Sequence, residues 1–332
     1  MGKVITLGEI MLRLSTQQGI RIAQSESFQI HYGGAEANVA VSLANYGHTV
    51  YFASKVPENS LGEAARKHLQ RYGVNTDYLV IGGSRLGVYY LEAGVGERAA
   101  AVVYDRAGSS FSEIKTLEWD LDELFQGKDI FHISGITPAL SAEWLQWTLD
   151  LMDAAKKAKC KISFDINYRN KLWTQQKAGA ALQKILPKVD YCSAGQLDAC
   201  HLLKVAEPDK KAELTDFYQA IHNQFPNIQV FYSTKRTIRS ASDNQLVGTL
   251  WIDGQYYESK SHEINPIVDR VGGGDAFSGG ILHGLLAGLT PQETVDFAAA
   301  AAALKHTVHG DCNQFDQQEV MAFMTSFGKI IR

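Results

Sequence analysis

Apolar residues recur along this chain in two rhythms: short runs rich in β-branched residues, and longer stretches with apolar positions three or four apart. The first run, Lys3–Leu7 (KVITL), ends at Gly8 and predicts a buried strand. A helical pattern over 35–46 follows, then a strand at 49–53 and a helix at 61–72 closed by Gly73. Further strands are predicted at 129–134, 161–165, 189–193 and 228–233. They alternate with helices at 142–159, 175–186 and near 212–224. This order predicts an α/β fold with a central, mostly parallel sheet and helices on both faces. Residues 11–32 and 87–104 break the pattern, because both are strand-like. They predict a small antiparallel sheet that projects as a lid over a ligand site at the C-terminal ends of the core strands. With no Pro/Ser-rich linker and no repeat, residues 1–332 read as one unit plus this lid.

Composition narrows the function more than the fold. Thirty-two Lys+Arg against 36 Asp+Glu give a net charge of −4, without a basic cluster to suit nucleic acid. The longest apolar run, 298–304, is too short for a membrane span. Arg13 and the polar run 15–19 interrupt any secretory core, and the Gly2-to-Thr6 match to a myristoylation pattern falls inside the first strand. Four scattered cysteines suit a reducing cytoplasm.

The densest chemical signal is Asp269–Gly280, DRVGGGDAFSGG. Three glycines before an apolar helical period predict a tight turn opening a helix. Its bare amides and positive helix end form an anion hole at Gly272, Gly273 and Gly274. Asp275, in the first turn, is placed to take a proton from a hydroxyl attacking a phosphoryl group; helix capping is the simpler alternative use. A second pair, Gly33-Gly34, opens the helix carrying Asn38, where bare backbone suits a polyhydroxylated ligand. Arg106, at a lid strand end, and Arg169, just after a core strand, offer two forks for a carboxylate, unless each pairs with a neighbour such as Asp105 or Asp165. His306, His309, Asp311 and Cys312 form the one metal-like cluster, for which a helix terminus is the plainer account. Gly94–Ala99 mimics a dinucleotide fingerprint but lies between lid strands, as a hairpin turn. Trp144 and Trp147, three apart, read as packing.

The segments GGAEANVA and DRVGGGDAFSGG, in this order and separation, resemble the two signatures of the ribokinase-like (PfkB) sugar kinases. Within them the chain is similar to the 2-keto-3-deoxygluconate kinases, with supporting stretches SGITPALS, DINYRNKLW, YDRAGS and KHTVHGDCN. The resemblance implies a Rossmann-like core with a β lid, ATP as donor, Mg²⁺, and transfer to a terminal sugar hydroxyl. It implies Asp275 as base, Gly272–Gly274 as anion hole, Gly34 and Asn38 as sugar ligands, and Tyr89, Tyr104, Arg106 and Arg169 as acceptor-pocket residues. It also allows a monovalent cation such as K⁺ near Asp269. The family's Asn-x-x-Glu motif is replaced by Ser193-Ala-Gly-Gln-Leu-Asp198, with Asp198 or Gln196 as substitutes. The nucleotide-side loop reads Ser233-Thr-Lys-Arg-Thr-Ile-Arg239, where Lys235 and Arg236 either meet phosphates directly or are solvated loop charges; Ser193, Ser233 and Lys235 are the nucleotide candidates. Two alternatives to a 2-keto-3-deoxygluconate kinase stand: a fructokinase-like enzyme of a neutral ketohexose, since DxNxRxxLW-type segments also occur in such relatives, and a non-catalytic sugar-acid sensor, which the altered 193–198 and 233–239 segments suggest. Partners are thus a small sugar acid and ATP, and an exposed apolar face of the lid would pair copies into a homo-oligomer.

Overall fold

The computed structural model describes residues 1–205 and 213–326. The chain begins with β1 (Lys3–Leu7), β2 (Met11–Ser15), β3 (Gln29–Gly33), α1 (Ala35–Asn45), β4 (Thr49–Val56) and α2 (Ser60–Arg71). Next come β5 (Leu79–Ile81), β6 (Val88–Glu92), β7 (Ala101–Asp105), α3 (Leu121–Phe125), β8 (Ile130–Ser134) and α4 (Ala142–Lys157). Then follow β9 (Lys161–Asp165), α5 (Gln175–Ile185), β10 (Tyr191–Ser193), α6 (Gln196–His201) and α7 (Leu214–Gln224). Residue 212, where the sequence pattern opens this last helix, lies outside the described residues. The chain continues with β11 (Val230–Ile238), β12 (Asn244–Ile252), β13 (Gln255–Glu258), β14 (His262–Ile264), α8 (Gly273–Ala287), α9 (Pro291–Lys305) and α10 (Gln317–Ser326).

Ten of these strands form one sheet in the order β13-β12-β11-β10-β9-β8-β1-β4-β5, with β14 also on β12. From β5 to β11 every neighbouring pair is parallel, and β12, β13 and β14 add an antiparallel edge. β1 is parallel to β4 on one side and β8 on the other, so the strand order reverses there. The loops that diverge from such a reversal leave a crevice at the strand C-terminal ends.

The edge hairpin departs from expectation. Residues 233–239 read as a loop, yet β11 continues to Ile238, because β12 offers it a nine-residue ladder from Val230↔Ile252 to Ile238↔Asn244. The paired hydrogen bonds satisfy the backbone of a polar segment that a single strand would leave open.

The second sheet, in the order β3-β2-β6-β7, is built from the two segments expected to form the lid. Its outer pairs β2/β3 and β6/β7 are antiparallel as expected, joined along a parallel β2/β6 seam. Register and the two-residue period sort its side chains. His31, Arg13, Tyr89 and Tyr104 lie in one cross-strand row, and Ile30, Leu14, Tyr90 and Val103 in a row on the opposite face. Arg13 and Tyr89 in the first row are buried, whereas Ile30 is 62% and Val103 54% exposed.

One large core lies on the α4/α5/α7 side of the main sheet, around a Phe111–Trp144 stack with ring centroids 4.5 Å apart. Trp144 is fully buried, which confirms packing as its role. Trp144→Ala is expected to lower unfolding free energy by about 3–5 kcal/mol in urea titration while leaving the crevice residues in place.

Candidate active site

Two helix starts meet at the crevice. Gly34 caps α1, and a Cβ there would lie 2.0 Å from the Glu9 carbonyl oxygen, so only glycine lets the chain pass so close to the β1 exit. Gly272 caps α8 with φ 81°, and a Cβ on it would lie 1.7 Å from the Asp311 carbonyl oxygen. The first amides of α8 have no carbonyl partner within the helix, and they sit at its positive end. Gly274 has open space beside it, consistent with an anion approaching these amides.

Asn38 and Asp275 join the two helices. The Asn38 side-chain amide donates to Asp275 Oδ2 at 2.7 Å, while Asn38 Oδ1 accepts from the Gly34 amide at 3.4 Å. Those two bonds fix the Asn38 amide and aim the Asp275 carboxylate. Burial pushes the Asp275 pKa up to about 7; Asp165 and Glu36 add to the rise, and Asn38 and Arg169 oppose it. Burial likewise lifts Asp165 to about 6, against the pull of Arg169. A carboxylate poised near neutrality is a base matched to its working pH.

A cavity of about 930 Å³ opens in front of Asp275. Gly34, Asn38, Tyr89, Tyr104, Arg106, Arg169, Gly272, Gly273, Gly274 and Asp275 all line it, so every acceptor-side and anion-hole candidate converges on one space. Tyr89 donates to Asp311 Oδ2, and Tyr104 lies 5.7 Å away ring to ring. Arg106 pairs neither with Asp105, which takes Arg85, nor with open solvent. Its partner is Glu9, whose other oxygen accepts from Ser109 Oγ at 2.6 Å.

The nucleotide candidates are placed differently. Ser193 ends β10 in register with Asp165 and hydrogen-bonds its carboxylate. Ser233 is held by Tyr218 and Thr249 at 2.7 and 3.1 Å. Lys235 pairs with Glu258 on the exposed side of β11. Neither Ser233 nor Lys235 lines the cavity, because the segment is a strand and alternation turns Lys235 outward. The next residue, Arg236, lines the cavity with Arg270 instead. Burial lowers the Arg236 pKa to about 10, which leaves it cationic at neutral pH. Of the two substitutes for the missing motif, Gln196 is exposed, whereas Asp198 turns inward and accepts from the Gly195 amide at 2.8 Å.

Sequence reasoning missed Glu9 and Arg13, and used Asp165 only as a neighbour for Arg169. Glu9 and Asp165 stand at the C-terminal ends of β1 and β9, which is the positional signal that marks them. The four members of the metal-like cluster are used otherwise: Asp311 pairs with Arg13, the His306 ring meets the Ala302 carbonyl, Cys312 contacts Asn38, and the His309 carbonyl accepts from Gln314.

A helix start with open amides, a buried carboxylate in its first turn and a cavity beside the second sheet have the geometry that phosphoryl transfer requires. The profile of the pfkB family carbohydrate kinases matches residues 1–318, and the chain belongs to that family. It is similar to a PfkB family carbohydrate kinase of Listeria grayi, 50% identical with a TM-score of 0.94 over 98% of this chain and 100% of that one. A 2-dehydro-3-deoxygluconokinase structure from Thermotoga maritima is 39% identical, with a TM-score of 0.94 and 98% of each chain covered. A 2-dehydro-3-deoxygalactonokinase of Haloferax volcanii is 34% identical over 96% of this chain and 95% of its own. No described helix is long and apolar enough to cross a membrane.

Because Asp275 must be ionised to accept a proton, kcat/KM is expected to rise with pH through an apparent pKa near 7. Asp165→Asn removes a neighbouring negative charge and is expected to move that limb to lower pH in the same profile. Asp275→Asn is expected to cut kcat by about 10²–10⁴-fold while calorimetry still detects acceptor binding.

Proposed function

We propose that this kinase transfers the γ-phosphoryl group of ATP to the terminal hydroxyl of a 2-keto-3-deoxy sugar acid, 2-dehydro-3-deoxygluconate in the first place. The single observation that carries the reading is the convergence of Arg106 and Arg169 on the cavity of Asp275. Two guanidinium forks suit the carboxylate of a sugar acid and gain nothing from a neutral ketohexose. Gly34 and Asn38 face the hydroxylated chain, and Tyr89 and Tyr104 wall the lid side. The relatives named above act on the gluco and galacto epimers, so the galactonate epimer is a natural second acceptor.

In this reaction the acceptor oxygen attacks phosphorus as its proton passes to Asp275. The bond to the β-γ bridging oxygen breaks, and ADP leaves. Amides at Gly272–Gly274 and the guanidiniums of Arg236 and Arg270 stabilise the charge that develops on the transferred group. Closure of the lid over the acceptor excludes water, which would otherwise compete as acceptor. Asp165 lines the cavity and feels the negative charge of Asp198, so these two carboxylates are the ones that would hold Mg²⁺ on the nucleotide side. When bound, Mg²⁺ neutralises phosphate charge. Ser193, hydrogen-bonded to Asp165, belongs to this nucleotide side.

The outer row of the lid, Ile30, Leu14, Tyr90 and Val103, supports pairing with a second copy of the chain. Val103→Glu is expected to shift the protein to monomer in sedimentation velocity. Coupled ADP release over a panel of sugar acids and neutral sugars tests the substrate: Arg169→Ala should raise KM for the acid at least tenfold and leave KM for ATP within twofold. Turnover confined to neutral sugars would overturn the assignment.

A further inference from the structure

Behind the anion hole lies a closed set of charges that the reaction itself does not use. Arg13, on the lid strand β2, is buried and bridges two carboxylates, Nη2 to Asp269 Oδ2 at 2.6 Å and Nη1 to Asp311 Oδ1 at 2.8 Å. Lys305, at the end of α9, is 0% exposed and donates its ammonium to the Asp269 carbonyl oxygen at 3.3 Å. Asp269 Oδ1 accepts from the Val271 amide at 3.1 Å, and Oδ2 accepts also from the Gly310 amide at 3.0 Å. Tyr89 donates to the remaining Asp311 oxygen. These are the residues around Asp269, where the family resemblance allows a monovalent cation.

The set does not fit such an ion. A hard cation needs several oxygen ligands with lone pairs directed at one point. Here each oxygen of Asp269 and both carboxylate oxygens of Asp311 already accept a hydrogen bond, and Asp269 Oδ2 accepts two; the donors are cations, fixed amides and the Tyr89 hydroxyl, which occupy the space between these oxygens. The charge is balanced as well: the Arg13 guanidinium pairs with both carboxylates, and the Lys305 ammonium lies beside them on the Asp269 carbonyl. A further positive charge would be buried without a counter-ion, with Arg236 and Arg270 also near His306. Asp269 and Asp311 flank the glycine turn: Asp269 leads into it through Val271, and the Asp311 carbonyl is the surface against which Gly272 packs. Holding these two residues therefore holds the anion hole.

We propose that Lys305 and Arg13 act as built-in cations that do the positioning a bound monovalent metal would otherwise do, so that phosphoryl transfer in this chain is independent of K⁺. Lys305 is a positioning residue in this scheme: it acts on the phosphate through Asp269 and the turn. Burial holds the Lys305 pKa below the ordinary lysine value, with Asp269 and Asp311 opposing the fall and Arg13 adding to it. Burial also pulls at Arg13, but the two carboxylates outweigh it and raise its pKa.

The inference rests on phosphoryl transfer at this site, so turnover with the sugar acid is measured first in KCl. An absence of all turnover would count against the proposed substrate, and only a difference between cations counts here. In KCl, NaCl or tetramethylammonium chloride at equal ionic strength with MgCl₂, wild-type kcat/KM is expected to agree within twofold. Its thermal unfolding midpoint, which needs no acceptor, should agree within about one degree. Tenfold activation by K⁺, or a midpoint raised several degrees by K⁺ alone, would overturn the proposal. Lys305→Ala empties the ammonium's place: turnover in tetramethylammonium should fall at least tenfold and recover on adding K⁺ or NH₄⁺. The same two ions should raise its unfolding midpoint. Full turnover of the variant without a small cation, or a loss that neither ion repairs, counts against it. Should Lys305→Ala not fold, Lys305→Met keeps the volume without the charge, and the wild-type comparison stands independently.

Discussion

The site depends on how closely α8 can lie against α1 and α9. Small residues make that contact: a Cβ on Gly279 would fall 2.6 Å from the Ser42 Cβ, and one on Gly280 would fall 2.5 Å from the Ala298 Cα. With α1 and α8 this close and their starts at the same edge of the sheet, residues 237 positions apart exchange a hydrogen bond, Asn38 to Asp275. A bulkier seam would part the helix starts. Gly34 and Gly272–Gly274 would then no longer share one cavity. The chemistry is local, but its precision is set by backbone packing well below it.

Much of this was legible before any coordinates. The core strands and helices follow from a clean change of period, and Gly33-Gly34 and Gly272–Gly274 mark both helix starts because bare backbone before an apolar helix has few other uses. Arg106 and Arg169 were placed correctly in one pocket because each stands at the end of a strand. Other parts were not legible, for physical reasons. Lys235 and Arg236 are adjacent and equally basic, and only the strand conformation of β11 decides which of them faces the cavity. That conformation is imposed by pairing with β12, a non-local partner. The pattern also leaves β12, β13 and β14 unassigned.

Arg13 shows the same limit more sharply. In the sequence it interrupts an apolar run; in the fold it is among the most enclosed charges in the molecule, because its two carboxylate partners lie 256 and 298 residues away. A buried cation is invisible to periodicity when its counter-ions arrive from the far end of the chain. The parallel β2/β6 seam has a similar origin: the lid is two hairpins separated by α1, β4, α2 and β5, so their pairing is non-local.

The pairing of Arg106 with Glu9 has a consequence for how the pocket meets its ligand. Glu9 lies against that guanidinium, a resident stand-in for the group the proposed acceptor would bring. A sugar acid of the kind proposed would thus exchange one anion for another at this position, and would not neutralise a bare cation. Electrostatic attraction from a distance is weak in such an exchange, so acceptor affinity should vary little with ionic strength. Discrimination then falls to shape: the ligand that wins is the one whose hydroxyls also reach Asn38 while its carboxylate takes the place that Glu9 gives up.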